Sequence, residues 1–151
     1  MKGFKKLTSA QQKTLKKNGC VADDWKKIIV GKGFDPKRVA NVIFKGKVKI
    51  GSLKGDVSLN DGIERKVGLW NTKLSNVEIG DNCYIANVGT WISNAIIGNS
   101  CVIENVGEII CDDETAFGNG HSIEVLNEGG GRELKITNIT SAQIAYLNCL
   151  Y

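Results

Sequence analysis

Residues 79–90 read IGDNCYIANVGT, and residues 97–108 read IGNSCVIENVGE. Eight of the twelve paired positions are identical or close, a cysteine among them, so a structural unit repeats every eighteen residues. Stepping by six from Ile79 gives Ile85, Trp91, Ile97, Ile103 and Ile109, all large and apolar. Four residues after the first five of these leads sit Cys83, Gly89, Ala95, Cys101 and Gly107, all small. Six residues are enough for one short strand and one corner. Three such steps close a triangular turn of a parallel β-helix, in which each turn pairs with the turns above and below and none buries its apolar side alone.

This pattern, over roughly residues 42–127, resembles the left-handed β-helix of the hexapeptide-repeat proteins. The fold expected is therefore all-β: about four to five turns of left-handed parallel β-helix, a small N-terminal helical cap and a C-terminal helix. Extending the register backwards aligns Leu74-Ser75-Asn76 with Ile92-Ser93-Asn94 and places Val67 eighteen residues before Ile85. Val48-Lys49-Ile50-Gly51 resembles Val77-Glu78-Ile79-Gly80 at a spacing of twenty-nine, one turn plus eleven, so an excursion leaves the coil within residues 52–66. A second excursion is expected at the glycine-rich run near 127–133. Phe117-Gly118-Asn119-Gly120 continues the repeat after a two-residue insertion and brings His121 into the slot of Cys83 and Cys101.

The expected organisation is a helical cap over residues 1–40, the coil over 41–138 and a helix over 139–151. In the cap, Thr8-Ser9-Ala10-Gln11 is a capping box opening a helix over about residues 9–18, which Asn18-Gly19 ends. Asp23-Asp24-Trp25 and Asp35-Pro36 open two further helical pieces. Thr140 to Gln143 repeats the capping signature, and the chain stops with that last helix barely formed, as a lid on the coil or as a cut through something longer.

Composition narrows the function. The 151 residues suit one domain, and no apolar run approaches the length that spans a bilayer. The basic start lacks the apolar stretch of a secretory signal, so a cytoplasmic location with reduced thiols, and no membrane partner, is expected. The net charge of +4 comes mainly from lysines in the first 73 residues. Without interleaved aromatics or a nucleic-acid motif these read as a solvated surface rather than a nucleic-acid site. The five cysteines form no CxxC pair, which removes zinc-ribbon and thioredoxin-like readings.

The segments GCVADDW (19–25), FGNGHSIEVLNEGGGRE (117–133) and SAQIAYLNCLY (141–151) together resemble the N-terminal part of an uncharacterised bacterial family of much longer hexapeptide-repeat proteins, catalogued only as a domain of unknown function. That resemblance implies the fold and a longer parent chain. It implies no activity. A second likeness, to the hexapeptide acyltransferases, supplies the enzymatic alternative, since those enzymes use a histidine as general base toward an acyl thioester. His121, the one histidine, is the candidate base, with Arg132 as an anion contact and acyl-CoA as the cosubstrate that alternative needs. Sugar-nucleotide transfer is the related option.

Arg65, in the excursion between Asp61 and Gly68, and Asn87 and Asn105, one turn apart, complete the candidate ligand contacts. For the two asparagines a ladder or a pair of corners competes with ligand binding. The column Cys83, Cys101, His121 reads as packing in a small inward slot before it reads as a metal or redox site, and no metal centre is expected. A γ-type carbonic anhydrase would need several histidines. The column Trp70, Val88, Val106 and Leu126 reads as an outward apolar stripe, covered by the N-terminal helices or by a threefold interface. The function expected is thus a structural or assembly module, with a homotrimer or a larger parent chain as partner, no cofactor, and transferase chemistry at His121 as the alternative.

Overall fold

The computed structural model describes residues 3–58, 62–111, 122–123, 134–135, 141, 143 and 146. The chain divides into two units, Met1–Asp112 and Asp113–Tyr151. The described residues are predominantly β, with one α-helix.

Strand β1 (Lys5–Lys6) leads into α1 (Ser9–Lys17). The helix starts where expected because Thr8 closes a capping box: its Oγ1 accepts the Gln11 N–H at 3.2 Å, and its own N–H donates to Gln11 Oε1 at 2.9 Å. Strand β2 (Val21–Ala22), a 3-10 turn at Trp25–Lys27, and β3 (Ile28–Val30) follow, then a second 3-10 turn at Pro36–Arg38. Asp24 and Asp35 cap the two turns, each accepting a backbone N–H at 2.9 Å from the residue two positions on.

Residues 1–40, expected as a helical cap, therefore contain strands as well. β2 and β3 pair in parallel with the long β4 (Val39–Ile50), so the first level of the β structure begins at Val21. The segments are two and three residues long, too short to leave a periodic trace between the helical turns.

β4 pairs in parallel with β7 (Gly68–Ile79). Between them the chain forms an antiparallel hairpin, β5 (Asp56–Ser58) with β6 (Glu64–Lys66). β7 in turn pairs with β8 (Tyr84–Ala86), β9 (Ile92–Ser93) and β10 (Ile96–Ile97). β11 (Val102–Glu104) lies on β8, and β12 (Ile109–Ile110) lies on β9. In the second unit β13 (Ser122–Ile123) pairs antiparallel with β14 (Leu134–Lys135). The helix expected over 139–151 lies for the most part outside the described residues.

The registers stack the apolar leads into three columns. Val39, Leu69, Ile85 and Ile103 form one; Ala22, Phe44, Leu74, Ile92 and Ile109 the second; Val30, Ile50, Ile79 and Ile97 the third. Phe44, Leu69, Leu74, Ile79, Ile85 and Ile92 are all buried below 2 % exposure, so these columns are the core. Two sequence assignments move. Ile92, not Trp91, takes the lead position after Ile85, because the corner at Asn87–Thr90 holds one extra residue, and Trp91 is left half-buried. Leu69, not Val67, sits under Ile85, because that step spans sixteen residues rather than eighteen. The same shortening pairs Trp70 with Ala86, and Val88 is buried in the core at 4 % exposure. The outward stripe Trp70–Val88–Val106 therefore does not form, and Leu126 lies outside the described residues.

Between the columns the chain turns at residues with positive φ. Asn41, Asn71, Asn87 and Asn105 (φ 47 to 56°) mark one corner, Gly46, Asn76 and Asn94 a second, Asn82 and Ser100 a third. Asparagine tolerates this left-handed conformation better than other non-glycine residues, which explains its use there. At the third corner Gly31, Gly51, Gly80 and Gly98 stack directly. A Cβ on Gly51 would stand 2.6 Å from the Gly80 carbonyl carbon, and one on Gly80 2.7 Å from that of Gly98.

One core position is polar. Thr72 is 1 % exposed, and its Oγ1 has no hydrogen-bond partner among the described residues. Thr72→Val removes that unsatisfied hydroxyl at constant shape, so it is expected to stabilise the protein by about 1 kcal/mol. Thermal unfolding should show a midpoint rise of roughly 2–4 °C.

Candidate functional site

The sequence candidates separate in space. His121 and Arg132 lie outside the described residues. Arg65 sits on β6 of the hairpin, half-buried, and Asn87 and Asn105 stand at the first corner.

The hairpin is strapped at its base by Arg38. The guanidinium donates from Nη1 to the Gly55 carbonyl at 2.6 Å and to the Val67 carbonyl at 3.3 Å, bracketing both ends of the excursion. Asp35 and Asp56 each lie 3.9 Å from it. These carboxylates are half-exposed, so the two backbone bonds carry the strap. At the hairpin's other strand, Arg65 faces the hydroxyl of Tyr84 on β8. Tyr84 donates to Glu104 Oε1 at 3.0 Å, one level further along the stack. Burial first, and then the Glu104 carboxylate, hold the Tyr84 hydroxyl above its usual pKa, with Arg65 opposing. Arg65, Tyr84 and Glu104 thus form a polar chain from the excursion across two levels, with Tyr84 only 7 % exposed. The sequence reading names Arg65 as a ligand contact and names neither of the other two. Tyr84 and Glu104 flank the leads Ile85 and Ile103 in different turns, and only the stack brings them together.

Asn87 and Asn105 belong to a ladder. Asn41 Nδ2 donates to Asn71 Oδ1, Asn71 to Asn87, and Asn87 to Asn105, each at 3.0 Å. At the second corner Asn76 donates to Asn94 at 3.4 Å, and Asn94 to the Cys111 carbonyl at 3.1 Å. The amides of Asn87 are committed to neighbours of their own kind on both sides.

Cys83 is fully buried, and its thiol lies 3.0 Å from the Gly98 carbonyl. Burial raises its pKa, as it does that of Cys20. Cys101 and Cys111 are half-buried. Iodoacetamide near pH 8 is therefore expected to label Cys101 and Cys111 before Cys83 and Cys20, read by peptide mass mapping. The linkage has a definite sign: a thiol whose folded pKa is raised stays protonated in the fold, so its contribution to stability falls as pH climbs above the ordinary value of 9.0. Among the described residues no three of His, Cys, Asp and Glu converge as a metal-binding group.

One open groove lies on the third side of the stack, about 440 Å³, with Lys47, Lys49, Glu78, Asn94 and Ile96 on its walls. Lys49 and Glu78 pair across adjacent levels at 2.8 Å. Ile96, next in that column, is 85 % exposed. None of the described helices is long and apolar enough to cross a membrane.

Comparison with known proteins returns relatives of unassigned activity. An "Uncharacterized protein" of Treponema pallidum (strain Nichols) is 27% identical over 144 residues, covering 88% of this chain and 20% of that protein. The chain thus spans about a fifth of the length of the curated relative it matches. No solved structure matches it. The family described as "Domain of unknown function (DUF4954)" matches residues 4–151, and to that family this chain belongs.

Proposed function

We propose that this chain is a left-handed β-helix module of a longer hexapeptide-repeat protein and that its role is structural: it holds an assembly, or the remainder of a larger chain, in fixed register. The observation that carries the reading is the in-register parallel pairing of Ile50 with Ile79 and of Ile79 with Ile97, continued at three recurring corners. A coil of this kind buries its leads only by adding further turns, so extension is its natural means of stabilisation. The polar groups at its surface support the reading too. Asn87 is spent on the ladder, and Arg65, Tyr84 and Glu104 are spent on one another.

Two measurements on the full chain test it. Sedimentation gives the solution mass, with a trimer or a larger assembly supporting the oligomeric form of the role. Thermal unfolding with acyl-CoA and with nucleotide sugars is expected to show no shift. A rise of several degrees with either ligand, lost in His121→Ala, would overturn the structural role in favour of transfer chemistry at His121.

A further inference from the structure

Charge in this chain is divided along the sequence. Residues 1–73 contain eighteen Lys and Arg against six Asp and Glu, and residues 74–151 contain two against ten. The halves carry +12 and −8, which together give the +4 of the chain. Within the first unit the strand order β1-β3-β4-β7-β8-β11 sets the lysine-rich segments before β4 at one end, and the later strands and corners up to Cys111 hold Glu78, Asp81, Glu104 and Glu108. From Leu74 to Cys111 there is neither lysine nor arginine.

At the first end the nine lysines between Lys5 and Lys37 are all exposed. The carboxylates among them are turned to the backbone. Asp23 accepts the N–H groups of Gly46 and Asp24, Asp24 that of Lys26, and Asp35 that of Lys37. Lys5, Lys6 and Lys32 line a recess of about 280 Å³, room enough for a phosphorylated headgroup. Thr8 and Gln11 at its edge are bound to each other in the capping box, so the recess offers an anion the lysine charges.

We infer that this lysine-covered N-terminal end is a docking surface for a bilayer bearing anionic phospholipid headgroups. Three observations favour that partner over a nucleic acid. The cations are lysines, compact point charges suited to diffuse attraction, and the one arginine at this end, Arg38, is bound to the Gly55 and Val67 carbonyls. Two of the aromatic rings at this end are already engaged: Phe34 is buried, and Trp25 lies edge-on to Phe44 with Lys16 Nζ 5.6 Å from its ring. A polyanion running along the stack would leave the cationic levels and meet Glu78, Asp81, Glu104 and Glu108, whereas a planar surface met end-on stays among the lysine-rich segments. Adsorption of this kind needs no membrane-crossing helix, so it departs from the expectation of no membrane partner without conflicting with the described helices, and it is independent of the structural role proposed above.

The test is co-sedimentation of the full chain with phosphatidylcholine vesicles, with and without roughly 30 % phosphatidylserine. Binding is expected only with phosphatidylserine, and it should fall at least tenfold between about 0.1 and 0.5 M salt. Combined Lys5→Glu, Lys6→Glu and Lys32→Glu, or combined Lys13→Glu, Lys16→Glu and Lys17→Glu, should weaken it about 100-fold. Lys45→Glu, on β4, should change it far less, with circular dichroism unchanged throughout. The inference is overturned by equal binding to neutral vesicles, by unchanged binding in both triple variants, by displacement with millimolar inorganic phosphate, or by preferential capture on duplex DNA at equal phosphate.

Discussion

Gly80→Ala is expected to destabilise the protein by about 3 kcal/mol, with Gly51→Ala close behind and Gly31→Ala clearly milder. The φ angles of these glycines are not in the left-handed region, so the cost is purely spatial. A Cβ at Gly80 would touch Asn99 Oδ1 and stand 2.7 Å from the Gly98 carbonyl carbon. That carbon is backbone and cannot swing away, because the Gly80 N–H is held by the Ile97 carbonyl at 2.9 Å. The added methyl must therefore push two levels apart and stretch the ladder on which the core columns depend. At Gly31 the nearest atoms stand at 3.3 Å, and a few tenths of an ångström of relaxation suffice. Thermal or urea unfolding of the three variants checks the order. Equal losses at all three sites would mean that the glycine column is not closely packed.

Asn71→Ala should cost about 2 kcal/mol, and Asn71→Gly roughly half as much. Alanine loses the bonds to Asn41 and Asn87 and must also hold φ 47°, which L-residues other than asparagine resist. Glycine loses the same bonds but accepts the backbone, so the difference between the variants measures conformation and the remainder measures the ladder. Asn71→Asp separates the bonds further, since a carboxylate still accepts from Asn41 but cannot donate to Asn87. Denaturant unfolding at neutral pH reads all three. If alanine and glycine prove equal, backbone strain at this corner is absent and the ladder alone accounts for the asparagine.

The repeat at Ile79 and Ile97 carried the sequence reading far: it gave the pairing of Leu74 with Ile92 and the match of Val48–Ile50 to Val77–Ile79. It failed where corners change length. Six is the mean step, but Ile85 to Ile92 takes seven and Ile92 to Ile97 takes five. A fixed step therefore chose Trp91, which is as apolar as Ile92 and differs only in which way the chain has turned. The mispairing of Val88 with Trp70 has the same origin, because the steps from Leu69 to Leu74 and from Leu74 to Ile79 take five residues each.

The candidate site was less legible than the fold. Arg65 stood out as a charge in an excursion, but Tyr84 and Glu104 look like ordinary outward positions until levels twenty residues apart are stacked. Asn87 and Asn105 were visible as a pair. That Asn41 and Asn71 extend it to four could not be read, because the intervals of thirty and sixteen residues break the eighteen-residue rule. His121 and Arg132, the residues on which transfer chemistry would rest, lie outside the described residues.

The asparagine ladder also gives the stack a direction. Each of the three amide bonds in the column from Asn41 to Asn105 is donated by the earlier level and accepted by the later one, and the bond from Asn76 to Asn94 runs the same way. Amide dipoles aligned head to tail polarise one another, so each added member strengthens those before it. A column of this sort resembles a one-way thread more than a symmetric post: only a corner that brings an acceptor can continue it forward, and only one that brings a donor can precede it. Two copies placed head to head would set donor against donor, so the side chains at the corners help to dictate which way round the turns are laid down.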